Sequence, residues 1–275
     1  MCADQTVARH YGREDLTKGI LEACEKAGVG SGTLKPDDLA PIDEFHVRGL
    51  EATREMVALS GFNQDSHVLD VGSGIGGPSR QLANLVGCHV TGIDLTPEYC
   101  ETATALAKIV GLQDRVNYDV GDALDMPYED GTFDGVWTLH VTMNIADKLK
   151  LLHEIRRVLR NEGRLVMYEI IAGPAGDVYF PVPWADDASI SYLSDQASFE
   201  LWLDEAGFRV DTWRDVSKEG VDFFRASIKR NQEEGVPPRG LHVLVGPEMK
   251  EKGKNVLRSL DEDRIRLVQI VASVT

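Results

Sequence analysis

The chain is predicted to be an α/β protein, doubly wound around a mostly parallel sheet of seven strands with an antiparallel hairpin at one edge and helical cap additions. Three observations predict this. From His67 onward short apolar segments alternate with helical ones, a glycine-rich turn directly follows the first of them, and two late strand-like segments bracket a long helical stretch. In order, Val68–Val71 is the first strand and Pro78–Val86 a helix with proline near its first turn. Cys88–Asp94 is the second strand. Helix Pro97–Val110 follows, with Thr96 as N-cap, Pro97 at the first helical position and Gly111 just past the end. Val116–Asp119 and Phe133–Thr138 are the third and fourth strands, Lys148–Leu159 a helix, and Gly163–Ile170 the fifth strand. Ser198–Ala206 reads as a helix and Phe208–Val216 as a strand. Residues 222–262 read as helices around a loop at Gly235–Gly240, and Ile265–Val274 as the last strand.

Ahead of this pattern the chain reads as helices and loops: Tyr11–Ala27 helical, Gly28–Asp38 rich in turn formers, Phe45–Ser60 helical. The expected organisation is an N-terminal helical cap over residues 1–66 and a core over residues 67–275. To that core are added an aromatic- and proline-rich cap segment around 171–198 and the helical insertion around 222–262. No repeat or low-complexity tract interrupts it.

With 275 residues, 43% hydrophobic and 27% charged, the chain has a globular balance and can bury a sizeable core. Its formal net charge of −16 argues against polyanionic partners, because neutralising phosphates takes clustered Lys and Arg. Basic doublets such as Arg156-Arg157 and Lys229-Arg230 sit among acidic neighbours. A small-molecule partner is therefore expected, rather than nucleic acid or a membrane, with self-association into a homo-oligomer left open. No apolar run approaches the roughly 20 residues of a membrane span, and the N-terminus lacks a signal pattern, so a cytoplasmic address is expected. The cysteines Cys2, Cys24, Cys88 and Cys100 form no C-x-x-C and no metal-ligand spacing. Reduced structural thiols and no metal site are the expectation.

The chemistry is carried by residues 68–77, Val-Leu-Asp-Val-Gly-Ser-Gly-Ile-Gly-Gly. Gly72, Gly74 and Gly77 satisfy G-x-G-x-x-G, where the backbone turns tightly and can approach a ligand without a Cβ in the way. Alone this suits a nicotinamide-dependent oxidoreductase as well as other nucleotide-type cofactors. Asp94, ending strand two, fits either, since a carboxylate there can accept both hydroxyls of a ribose. Asp70, directly before the turn, separates the two. It would repel a pyrophosphate but suits a ligand bearing an ammonium and a sulfonium. Asp122, in Gly121-Asp122-Ala123 after strand three, can accept from an adenine amino group.

The succession V-L-D-V-G-S-G, I-D-L-T, G-D-A, F-D-x-V-W and L-R-x-x-G-R-L over about residues 66–170 resembles the class I S-adenosylmethionine-dependent methyltransferases. The flanks Asp43–Gly49, Gly76-Gly77-Pro78 and Trp137–Asn144 resemble the sarcosine/dimethylglycine N-methyltransferase-like group within it. The resemblance implies a Rossmann-like methyltransferase fold using S-adenosylmethionine and releasing S-adenosylhomocysteine. Position by position it implies Gly72 and Gly74 against the methionine part, Asp94 and Leu95 at the ribose, and Asp122 and Ala123 about the adenine. His140 would face both cofactor and substrate, and His46 and Arg48 would fold over the methionine carboxylate, the natural partner of a guanidinium. His140 reads equally as a satisfied core histidine. His140 and His46 are the candidate bases. Trp184 and Tyr192 either pack a cap or line a substrate pocket, where with Trp137 they could face a developing ammonium. Phe223-Phe224 reads as core. The implied reaction is methyl transfer to a small polar amine, with O- or C-methylation of a small hydroxylated metabolite next and nicotinamide-dependent oxidation a distant alternative.

Overall fold

The structure is a computed structural model, and it describes residues 16–30 and 34–275. Residues 11–15 of the first expected helix, and Cys2, lie outside the described residues; the helix itself, α1, runs Leu16–Lys26.

Seven strands form one sheet in the order β3-β2-β1-β4-β5-β7-β6. They are β1 (His67–Val71), β2 (His89–Asp94), β3 (Val116–Val120), β4 (Phe133–Leu139), β5 (Leu159–Ala172), β6 (Phe208–Asp215) and β7 (Ile265–Val274). Pairings from β3 through β5 are parallel, whereas β7 runs antiparallel to both β5 and β6. The expected antiparallel edge hairpin is thus present, with β7 inserted between β5 and the outermost β6. Strand order reverses between β1 and β4, so a crevice opens at their carboxyl ends, where ligands of such sheets bind.

Helices α4 (Gly77–Val86), α5 (Pro97–Ile109), α6 (Lys148–Val158) and α7 (Gln196–Glu205) follow the expected boundaries to within two residues. Thr96 occupies the N-cap position of α5, although its side chain makes no capping bond. The long insertion begins at once after β6, as α8 (Ser217–Glu234), then continues through the single turn α9 (His242–Val245) to α10 (Met249–Asp261).

Two N-terminal expectations are corrected. Pro36–Asp43 is a helix, α2, with Pro36 in its first turn and Asp37 and Asp38 complementing the helix dipole there. Pro41, inside it, disguises the pattern. Helix α3 spans Gly49–Ser60 and does not reach back to Phe45, because Arg48 lies in the left-handed region with φ 70°. The preceding loop is pinned by Tyr168, whose hydroxyl donates to Val47 O at 3.1 Å.

The core has three parts. One lies on each face of the sheet; the third joins α1 and α2 (Leu16, Ile20, Leu39, Ile42) to Ile75, Tyr99 and Leu244. Through Leu244 the insertion packs on the N-terminal helices. Cys24, Cys88 and Cys100 are buried free thiols. Among the described residues no helix is long and apolar enough to cross a membrane.

Candidate active site

A cavity of about 320 Å³ opens at the carboxyl ends of β1, β2 and β4 and runs beneath the insertion. Its wall holds Gly72, Gly74, Asp94, Leu95, Asp122 and Ala123, and further along His46, His140, Trp184 and Tyr192. Ten of the residues singled out from the sequence therefore meet around one space.

The glycine turn is shaped by contact as well as by conformation. Gly72 has φ 70°, and a Cβ there would lie 2.6 Å from Val141 Cγ2, so the turn after β4 closes directly onto the turn after β1. Asp94 stands at the rim with both carboxylate oxygens held, Oδ2 by Gly74 N–H and Oδ1 by Thr96 N–H, each at 2.9 Å. Burial pushes its carboxyl up, and those backbone donors oppose it. Asp122 is fixed as an Asx turn, its Oδ1 accepting from Leu124 N–H at 2.8 Å.

His140 directly follows β4 in the left-handed region, φ 56°, an uncommon conformation for a residue with a Cβ. Its backbone N–H donates to Tyr168 O at 2.7 Å. Glu169 holds the rest of the turn. This fully buried carboxylate accepts from Thr138 Oγ1 (2.6 Å), Val141 N–H (3.2 Å), Thr142 N–H (3.1 Å) and Thr142 Oγ1 (2.8 Å). The imidazole stands 4.7 Å from the Tyr168 ring and 5.9 Å from that of His46, centre to centre. Its Nε2 is buried with no hydrogen-bond partner. Burial and the neighbouring His46 hold its pKa well below the ordinary histidine value, so the ring is neutral.

His46 belongs to a second network. Its Nε2 lies 3.1 Å from Gly49 O, which can only accept, so Nε2 carries the proton and Nδ1 is bare. Thr53 Oγ1 is 3.2 Å from the same nitrogen and donates to Glu44 Oε2 at 2.5 Å. Burial lowers the His46 pKa to about 4. Burial and the charge of Asp43 push the Glu44 carboxyl well above the ordinary range.

Three expected residues are not on the cavity wall. Arg48 turns away. Its left-handed backbone aims the guanidinium along α3, where it donates to Glu51 (2.9 Å) and to both oxygens of Glu55 (2.9 and 2.5 Å). Glu55 also accepts from Gln269 on β7. Asp70 is buried under the glycine turn and accepts from Ser79 Oγ; burial pushes its carboxyl up to about 7. Trp137 is wholly buried in β4 and faces no ligand space.

Reading the sequence alone missed Glu169 and the cavity-lining role of Phe223 and Phe224. Glu169 did leave a signal: a lone carboxylate within Val-Met-Tyr-Glu-Ile-Ile, which a buried strand tolerates only with donors around it. Phe223 and Phe224 pack on the core and also line the cavity.

Comparison with known proteins agrees with this geometry. Residues 69–167 match the methyltransferase domain family. An O-methyltransferase of Aspergillus sclerotiorum is 31% identical over 185 residues, covering 66% of this chain and 69% of that protein. The chain belongs to the S-adenosylmethionine-dependent methyltransferases. Ajmaline N-methyltransferase of Rauvolfia serpentina is 41% identical over 158 residues, 56% of this chain and 54% of its own. The chain spans about half the length of the first curated relatives it matches. Among solved methyltransferases, geranyl diphosphate C-methyltransferase from Streptomyces coelicolor superposes with a TM-score of 0.74 at 17% identity. It covers 100% of this chain and 98% of its own. A sarcosine dimethylglycine methyltransferase candidate from Galdieria sulphuraria gives 0.64 at 17%, over 81% and 84%. At such identities these methyltransferase structures speak to the fold alone. Among the described residues no group of three or more His, Cys, Asp or Glu is arranged to hold a metal.

Proposed function

We propose that the protein transfers a methyl group from S-adenosylmethionine to a nitrogen or oxygen atom of a small molecule that meets His140. The observation that carries this reading is His140 itself: a neutral imidazole on the wall of the cavity that the glycine turn and Asp94 also line.

A Cβ built on Gly74 meets nothing within 4 Å, so the backbone there borders open space on the cavity side of the turn. Gly72 and Gly74 would lie against the cofactor's methionine part, Asp94 would hold the ribose hydroxyls beside Leu95, and Asp122 and Ala123 would flank the adenine. When bound, S-adenosylmethionine supplies an electrophilic methyl group on a sulfonium. The protein's share is to align a nucleophile, exclude water and receive a proton. A neutral imidazole at His140 accepts that proton from a hydroxyl or an amine, and the bare Nδ1 of His46 offers a second acceptor. Carbon nucleophiles make less use of such a base. The curated relatives include O-, N- and C-methyltransferases, so the element methylated follows from the site rather than from kinship. The small polar, sarcosine-like amine expected from the sequence finds less support here. Among the described residues no Lys or Arg lines the cavity to meet a carboxylate.

Incubation with methyl-labelled cofactor and a panel of amines, phenols and alcohols should place label on nitrogen or oxygen; label found on carbon alone overturns the proposal. His140→Ala should lower kcat by about 10²- to 10⁴-fold, the usual worth of a positioned base, while S-adenosylhomocysteine binds as before. Calorimetry should show saturable binding of S-adenosylhomocysteine and none of NADH, which also disposes of the oxidoreductase alternative.

A further inference from the structure

The far end of the cavity is built differently from the end at the glycine turn. Three helices of the insertion form its wall: Phe223 and Phe224 from α8, Leu244 from α9, and Met249 and Val256 from α10. Trp184 faces them from the loop after β5. The polar groups at this end are occupied within the protein. Trp184 Nε1 donates to Ser191 Oγ at 3.0 Å, and the Tyr192 hydroxyl to Ser189 O at 3.0 Å. The Asn144 amide nitrogen donates to Trp184 O and Ile190 O, both at 2.9 Å. What remains open to a ligand is aromatic and aliphatic surface beside the His140 imidazole, whose Nε2 is itself buried.

We infer that this end is an acceptor subsite for an uncharged, hydrophobic ring system that carries a single nucleophilic hydroxyl or amine. Apolar walls gain by burying apolar ligand surface. A carboxylate or phosphate brought here would lose its water with no cation among the described residues on the wall to replace it. An apolar cup with few polar groups selects the orientation of the ligand, because a hydroxyl or amine turned away from the imidazoles of His140 and His46 would be buried without a partner. The wall is also adjustable, since Phe223, Phe224 and Met249 are only partly buried and Met is unbranched and polarisable. The inference rests on the methyltransferase reading for its chemistry, but its binding claim stands apart from that reading.

Two fluorescent probes that differ by one sulfonate separate the possibilities: N-phenyl-1-naphthylamine, which is neutral, and 8-anilino-1-naphthalenesulfonate. With the full chain saturated in S-adenosylhomocysteine, the neutral probe should bind saturably and the sulfonate at least about tenfold more weakly, a difference easily resolved by titration. Phe224→Ala should weaken the neutral probe by about fivefold or more, in line with loss of an aromatic wall. Met249→Arg should invert the preference, tightening the sulfonate and weakening the neutral probe; both positions are partly exposed, so folding should survive. Equal or tighter binding of the sulfonate to the unaltered protein overturns the inference. So does displacement of the neutral probe by S-adenosylhomocysteine, or indifference of the probe to Phe224→Ala. Failure of S-adenosylhomocysteine to bind sinks the methyltransferase reading alone; the probe comparison then runs without it and still decides the subsite.

Discussion

His140 shows how much of this site depends on one carboxylate, Glu169, next in the chain to its backbone partner Tyr168. A histidine in the left-handed region gives up roughly 1–2 kcal/mol, which the surroundings must supply. Glu169 supplies it by gathering four donors from Thr138, Val141 and Thr142, on both sides of His140. Glu169 is therefore a positioning residue. Glu169→Gln replaces one acceptor oxygen by an amide donor facing donors, at a cost of about 1–3 kcal/mol. The melting temperature should fall by several degrees, and the turn should relax. In kinetic assays kcat should drop by about tenfold or more while the affinity for S-adenosylhomocysteine stays within twofold. A purely structural role would lower the amount of folded enzyme but leave kcat per folded molecule untouched, and that outcome would overturn the assignment.

At the scale of elements, the strands and the acids at their ends were legible, because buried parallel strands read as short apolar runs and glycine marks the turn that follows. β7 was read to the residue. What could not be read depends on contacts far apart in sequence. Helix α2 is disguised by Pro41, and the start of α3 is set by a hydrogen bond from Tyr168 to Val47, across 121 positions. Asp70 was read as facing ligand because it precedes the glycine turn. On a central strand covered on both faces, it is buried like Val68, Leu69 and Val71. The insertion was legible as helical but not as a roof. α9 has four residues, too few to be stable alone, and it is held by Leu244 against Leu39 and Ile42 and by Arg239 nearby, whose Nη1 donates to Asp38 O at 2.7 Å. Leu244→Ala should therefore act locally. Amide hydrogen exchange should speed up by about tenfold or more across residues 241–246 while β1, β4 and β5 keep their protection, since weakly held elements open without the core. Uniform loss of protection across the sheet would show that α9 belongs to the global folding unit instead.

For the whole molecule, the acidic interior makes stability depend on pH in two opposing ways. His46 keeps a folded pKa of about 4 against 6.5 for a free side chain, so between those values the unfolded chain binds the extra proton and stability rises with pH. Asp70 acts in reverse. Buried beneath the glycine turn, it holds its proton to about 7 against 3.8 when exposed, so across that window the folded chain binds the extra proton and stability falls as pH rises. The overall pH profile mixes these slopes with those of other buried groups, but a difference between variant and parent isolates one of them. Asp70→Asn cannot titrate and still offers Ser79 an acceptor oxygen. Relative to the parent, the variant should gain stability steadily from pH 4 to pH 7, by at most about 4 kcal/mol, the worth of roughly three pKa units. Denaturant unfolding of both proteins at several pH values across this range measures the difference directly. A difference that stays flat would mean Asp70 ionises normally in the folded chain, and that the ground beneath the glycine turn is wetter than the structure has it.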